Sequence, residues 1–209
     1  MNSYTQTKAS QSSVSPKDAL QMLKDGNKRF LDKKPMQRNF DEQVQMTAGG
    51  QFPFASVVSC IDSRIPTEIV FDQGIGDIFN ARIAGNFVNE DILGSLEFAS
   101  KLAGSKLIVI MGHTACGAVK GACDHAELGN LTAMLEKIKP ALNEVKTAEG
   151  VDRSSANIDF VNDVAVANVK LTIEKLKKDS PVLNEMIQNG EIDVVGAMYD
   201  VKSGEVSFL

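Results

Sequence analysis

Short apolar runs alternate along the chain with stripes of apolar residues at helical spacing. Phe54-Ala55-Ser56-Val57-Val58-Ser59-Cys60 and Ile78-Phe79-Asn80-Ala81-Arg82-Ile83-Ala84 are rich enough in apolar and β-branched residues to read as strands. The run from Lys106 to Met111 is apolar on both alternating faces, the mark of a strand buried on both sides of a parallel sheet, which makes it central. Ser15-Pro16 offers an N-cap and a first-turn proline to a helix over 16–32, with Leu20, Leu23, Asn27, Phe30 and Leu31 at helical spacing. Further helix-period segments cover 66–73, 90–103, 116–122, 131–145 and 160–176, and Ser180-Pro181 opens a short helix to about Gln188. Ile192–Tyr199 and Glu205–Leu209 flank Ser203-Gly204 and read as a terminal hairpin. This alternation predicts an α/β fold with a mainly parallel central sheet and an antiparallel C-terminal edge.

At 209 residues, with no internal repeat and no dividing linker, the chain suits one domain over 16–209 preceded by a flexible polar tail at 1–15. That tail lacks the apolar stretch of a secretion signal, which favours a cytoplasmic location unless such a signal was removed beforehand. A composition of 43% hydrophobic residues, with 16 Gly and 6 Pro, excludes disordered and collagen-like classes. The net charge of −5 (22 basic against 27 acidic residues) repels polyphosphates, so nucleic acid and anionic membranes are poor partners. No apolar stretch approaches the roughly 20 residues of a membrane-spanning helix.

Three Cys are too few, and odd in number, for a disulfide framework, which leaves free thiols or metal ligands. One of the two His residues stands three before a Cys in His113-Thr114-Ala115-Cys116, in the loop after the central strand. Cys60 ends another strand, and ligands of open α/β sheets bind at carboxyl ends of strands. A Cys60, His113, Cys116 set would leave one tetrahedral position open, as in catalytic zinc sites. Buried cysteines acting as small apolar residues, with an ordinary loop histidine, fit the same pattern. Asp62 and Arg64 follow Cys60 closely, either as site residues or as a surface ion pair of little energetic weight. Cys123 reads as a small buried residue, His125 as solvated, and Gly74-Ile75-Gly76 as a turn.

Cys60-Ile61-Asp62-Ser63-Arg64 together with Gly112-His113-Thr114-Ala115-Cys116-Gly117 closely resembles the β-class carbonic anhydrases. The resemblance extends over roughly 16–209, through Asn27-Lys28-Arg29-Phe30, Arg82-Ile83-Ala84-Gly85-Asn86, Ser95–Ala99 and Val195–Asp200. It implies a Rossmann-like domain with a four-stranded parallel core, an N-terminal helical arm that embraces a partner, and homodimers able to pair into tetramers. It implies one Zn²⁺ per subunit on Cys60, His113 and Cys116, and reversible hydration of carbon dioxide to bicarbonate through zinc-bound hydroxide. Asp62 and Arg64 match the catalytic dyad. Gln51, Phe79 and Ala84 match substrate-pocket positions, and the backbone N–H of Gly117 would face substrate. In family dimers the Gln and the aromatic come from the neighbouring subunit. Two thiolates neutralise the formal charge of Zn²⁺, so such a site acidifies water less than a tris-imidazole site and needs help from groups beside it.

Two positions depart from family patterns. Phe98 stands where plant-type members carry a pocket Tyr, and it cannot hydrogen-bond substrate. Val57 stands where a bicarbonate-inhibited subgroup carries Trp, and the chain contains no Trp, which favours the open, water-bound form. Rival readings are a carbonyl sulfide or carbon disulfide hydrolase on the same scaffold, or a non-catalytic zinc- or bicarbonate-binding protein.

Overall fold

The structure, a computed structural model, describes residues 4–209. Its sheet comprises β1 (Ala55–Ser59), β2 (Ile78–Arg82), β3 (Leu107–His113), β4 (Asp193–Tyr199) and β5 (Val206–Phe208) in the order β2-β1-β3-β4-β5. The first four strands are parallel and β5 runs antiparallel on β4, as the hairpin pattern required. All seven residues of β3 are buried, which is why its sequence carries no polar face. The parallel register sets Ser59 beside Arg82 and Met111, so the carboxyl ends of β1, β2 and β3 meet at one end of the sheet.

The helices are α1 (Lys8–Ser13), α2 (Pro16–Leu31), α3 (Phe40–Thr47), α4 (Thr67–Val70), α5 (Glu90–Glu97), α6 (Gly117–Cys123), α7 (Gly129–Glu136), α8 (Lys139–Glu144), α9 (Ile158–Asp179) and α10 (Pro181–Gln188). The longest, α9, lies close against the carboxyl half of the sheet because two strand positions lack side chains. A Cβ on Gly112 would fall 2.8 Å from both Met198 Sδ and Val169 Cγ2, and one on Gly196 would fall 2.9 Å from Val169 Cγ1. No helix among the described residues is long and apolar enough to cross a membrane.

Five features differ from the sequence expectation. Residues 1–3 of the expected flexible tail lie outside the described residues, but 4–13 dock against the body. A reciprocal Thr7–Ser10 capping box starts α1, and the buried Gln11 amide donates to the carbonyls of Pro53 and Ala103, each at 2.8 Å. Docking through hydrogen bonds leaves no apolar periodicity to read. The single helix expected over 131–145 is two, α7 and α8, with Pro140 in the first turn of the second, where a proline lacking N–H is tolerated. The 90–103 helix closes in a π-helical turn, Phe98–Leu102, and α3 is a helix that the sequence did not lead us to expect: its apolar Phe40, Val44 and Met46 are exposed and its one buried side chain is Gln43. His113 is the last residue of β3 rather than part of the loop.

Asn27 ties α2 to the rest. Its amide donates to the carbonyls of Val70 (3.1 Å) and Gly204 (3.0 Å), and its oxygen accepts from the Val206 N–H at 3.0 Å, all out of water. Asn27→Ala should therefore leave three buried backbone groups unpaired and cost about 2–4 kcal/mol. Urea unfolding of the two proteins measures this, and a loss under about 0.5 kcal/mol would contradict the account.

Candidate metal centre

Cys60 is the first residue beyond β1, and two contacts fix it. The Gly85 N–H donates to Cys60 Sγ at 3.4 Å, and Arg82 donates from Nε to the Cys60 carbonyl (3.0 Å) and from Nη2 to the Asp62 carbonyl (2.6 Å). Gly85 has φ +83° and a Cβ there would lie 2.4 Å from Ile138 Cδ1, so glycine is required for this approach to the sulfur. The Asn168 amide of α9 holds the Gly85 carbonyl at 2.7 Å. On the other side, the turn after β3 is pinned by Thr114 N–H to the Tyr199 carbonyl (2.9 Å) and by Val201 N–H to Thr114 Oγ1 (3.0 Å). Cys116 then caps α6.

These loops bring Cys60, His113 and Cys116 together, with their ligand atoms all within 4.8 Å of one another. All three side chains are buried, at 4%, 0% and 1% exposure. His113 Nδ1 lies 3.0 Å from the Thr114 carbonyl, so the proton sits on Nδ1 and the Nε2 lone pair is directed into the cluster. Nε2 is buried and finds no hydrogen-bond partner in the protein. Such an orphan costs about 1–3 kcal/mol unless something else engages it. The two sulfurs share their protons unequally. A hydrogen bond from Cys116 pulls the Cys60 thiol below its ordinary range, against the opposing effect of burial. The same bond, reinforced by burial, pushes the Cys116 thiol up. Two soft sulfurs and one imidazole nitrogen that lacks a protein partner, converging, fit Zn²⁺. No other cluster of three such donors occurs among the described residues.

Asp62 borders this cluster, its Oδ2 3.9 Å from His113 Nε2. Arg64 grips it from Nε to Oδ1 (2.9 Å) and from Nη2 to Oδ2 (2.6 Å), and the Arg64 N–H adds a third bond at 3.0 Å. Those bonds hold the Asp62 carboxyl well below the usual carboxylate range, against a smaller opposing effect of burial. Ala84 adjoins Gly85 in the loop beside Cys60, and Gly117 opens α6 with open space where a Cβ would stand.

Gln51, Phe79 and Phe98 lie elsewhere. Phe79 pairs with Ser56, four residues or about 13 Å of strand before Cys60. Its ring meets Phe98 edge-on at 6.4 Å, and both line a groove of about 630 Å³ along β2 that contains none of the metal-ligand set. Gln51 is exposed in the loop before β1, towards the opposite end of the strand from Cys60. Cys123 is buried, His125 is exposed, and 74–77 is a turn closed by Gly74 N–H on Asp77. The sequence reading missed three site supports: Arg82, Asn168, and Asn162, whose Oδ1 accepts from the Ala115 N–H at 2.9 Å. The signal for Asn168 was a polar residue within the buried stripe Val161, Val164, Ala165, Val169 of α9.

The carbonic anhydrase family profile matches residues 55–206. Carbonic anhydrase 2 of Mycobacterium tuberculosis is 32% identical over 198 residues, covering 91% of both chains, and the carbonic anhydrase of Mycolicibacterium smegmatis is 33% identical over 91% of this chain and 92% of its own. Among solved structures, the β-carbonic anhydrase CafA of Aspergillus fumigatus superposes with a TM-score of 0.69 at 29% identity, covering 81% of each chain. The tetrameric β-carbonic anhydrases of Sordaria macrospora give a TM-score of 0.68 at 25% identity over 81% of this chain and 90% of that one. With its parallel sheet, its converging Cys60, His113 and Cys116, and these relatives across most of its length, the chain belongs to the β-class carbonic anhydrases.

Proposed function

We propose that the protein interconverts carbon dioxide and bicarbonate, with one Zn²⁺ held by Cys60, His113 and Cys116. The observation that carries this reading is the buried His113 Nε2, directed at two sulfurs and lacking any protein partner, beside a locked Asp62–Arg64 pair. When bound, Zn²⁺ supplies a Lewis acid that makes water a competent nucleophile near neutral pH. Asp62 contributes an acceptor. With its carboxyl held well below the usual carboxylate range, it takes a hydrogen bond from the nucleophile and orients it towards carbon dioxide. Arg64 contributes restraint: with both carboxylate oxygens engaged, Asp62 is kept from turning onto the metal, which supports the open form. Ala84 gives the pocket an apolar wall, and the Gly117 N–H, at the start of α6, is a donor left over by the helix.

Gln51, Phe79 and Phe98 serve the pocket of a neighbouring copy in this reading. The support is their distance from this chain's own cysteines together with the unpaired outer edge of β2, and the Sordaria relatives are tetrameric. A homodimer, or a pair of dimers, is then the active unit.

Stopped-flow measurement of carbon dioxide hydration tests the function, with about one zinc per chain by elemental analysis. Turnover of carbonyl sulfide without turnover of carbon dioxide would replace the assignment. Asp62→Ala should retain zinc and lose roughly 100-fold or more in kcat/KM, whereas Cys116→Ser should lose the metal. Equal zinc loss in both would remove Asp62 from the chemistry. Because Arg64 keeps Asp62 ionised, the acid limb of kcat/KM should have its midpoint above the carboxylate range, and a midpoint between about 4 and 5 would assign the limb to a carboxylate instead. Specific activity should fall on dilution in step with dimer dissociation by analytical ultracentrifugation, and a fully active monomer would contradict the shared pocket.

A further inference from the structure

Ala115 lies between His113 and Cys116 with φ +53°, the left-handed region that a residue bearing a Cβ enters only against a steric penalty. Its N–H donates to Oδ1 of Asn162, in the second turn of α9, at 2.9 Å. The residue before it, Thr114, carries the carbonyl that takes the His113 Nδ1 proton, and the residue after it is Cys116. A rotation of the peptide at 115 would therefore move the acceptor that aims His113 Nε2 and the backbone that carries Cys116 Sγ together. Asn162 stands on a fixed base, because Gly112 and Gly196 let Val169 seat α9 against the sheet, and Asn168 of the same helix holds Gly85, whose N–H reaches Cys60 Sγ. One rigid helix thus registers both loops that bear the ligands.

We propose that Asn162 is a positioning residue for the metal centre: its side-chain oxygen holds Ala115 in the left-handed turn that spaces His113 Nε2 and Cys116 Sγ, and so sets the affinity of the site for Zn²⁺. This inference rests on the zinc reading above. Asn162 is only half-buried, and the apolar residues that anchor α9 are others, so its replacement leaves the helix packed.

The test uses the full chain. Zinc affinity is measured by competition with a chromophoric chelator, and ligand geometry by the thiolate-to-metal charge-transfer band after Co²⁺ substitution. Asn162→Leu, which keeps the branching at Cγ and the number of heavy atoms but has no acceptor, should weaken zinc binding about 10- to 100-fold and shift the Co²⁺ band, with little change in the melting temperature of the metal-free protein. Asn162→Asp keeps an oxygen at the same reach and should restore affinity to within about 3-fold of wild type. In an Ala115→Gly background, where positive φ carries no penalty, the loss caused by Asn162→Leu should shrink. Unchanged affinity and spectrum in Asn162→Leu would overturn the inference, as would equal losses in the Leu and Asp variants. Should Asn162→Leu fail to fold, the same comparison is made between Asn162→Ala and Asn162→Asp. A wild-type chain that bound no zinc would overturn the reading beneath it as well, an outcome distinct from a wild type and variant that bind zinc equally.

Discussion

Burying an imidazole nitrogen with an unshared lone pair against two sulfurs is costly unless a cation takes up all three, and the surrounding loops are arranged around that constraint. His113 spends its one proton on the Thr114 carbonyl, which leaves Nε2 no alternative use. The sulfurs are held from different directions, Cys60 by the Gly85 N–H and Cys116 by its place at the start of α6. Neither holding contact uses up the donor positions that face inward. The structure thus maintains a converging set of soft donors, one of them without a partner, at a point where three strand ends meet, and the rigidity of a fully buried central strand makes this possible.

The charge arrangement beside that set divides labour between two side chains. Asp62 is close enough to act on whatever occupies the cluster, while Arg64, half-exposed, holds both oxygens of Asp62. An exposed ion pair contributes little to stability. Its effect here is to fix one ionisation state and one orientation, which a single carboxylate in water would not keep.

The N-terminal segment shows how polar residues can serve as packing. Gln11 and Gln43 are both buried, and both saturate backbone groups: Gln11 on the carbonyls of Pro53 and Ala103, Gln43 on the Tyr4 carbonyl and the Ile75 N–H. Such amides can close a loop-rich end of the sheet where strands begin and carbonyls would otherwise be stranded.

The sequence by itself determined the alternation of strands and helices, the central place of β3, the antiparallel terminal hairpin and the three residues whose donor atoms converge. Each of these is written in local periodicity or in rare residue types at short spacing: His113 and Cys116 are three apart, and Cys60 ends an unmistakable strand. Hydrogen bonds between distant polar residues leave no such period. The docking of residues 4–13, the existence of α3 around Gln43, and the supports given by Arg82, Asn162 and Asn168 therefore appeared only in the tertiary structure. Periodicity also overran the break between α7 and α8, because both halves present apolar residues to the same core. The separation of Phe79 and Phe98 from Cys60 was decided by the register of β1 on β2, a property of two strands paired in space that neither strand encodes alone.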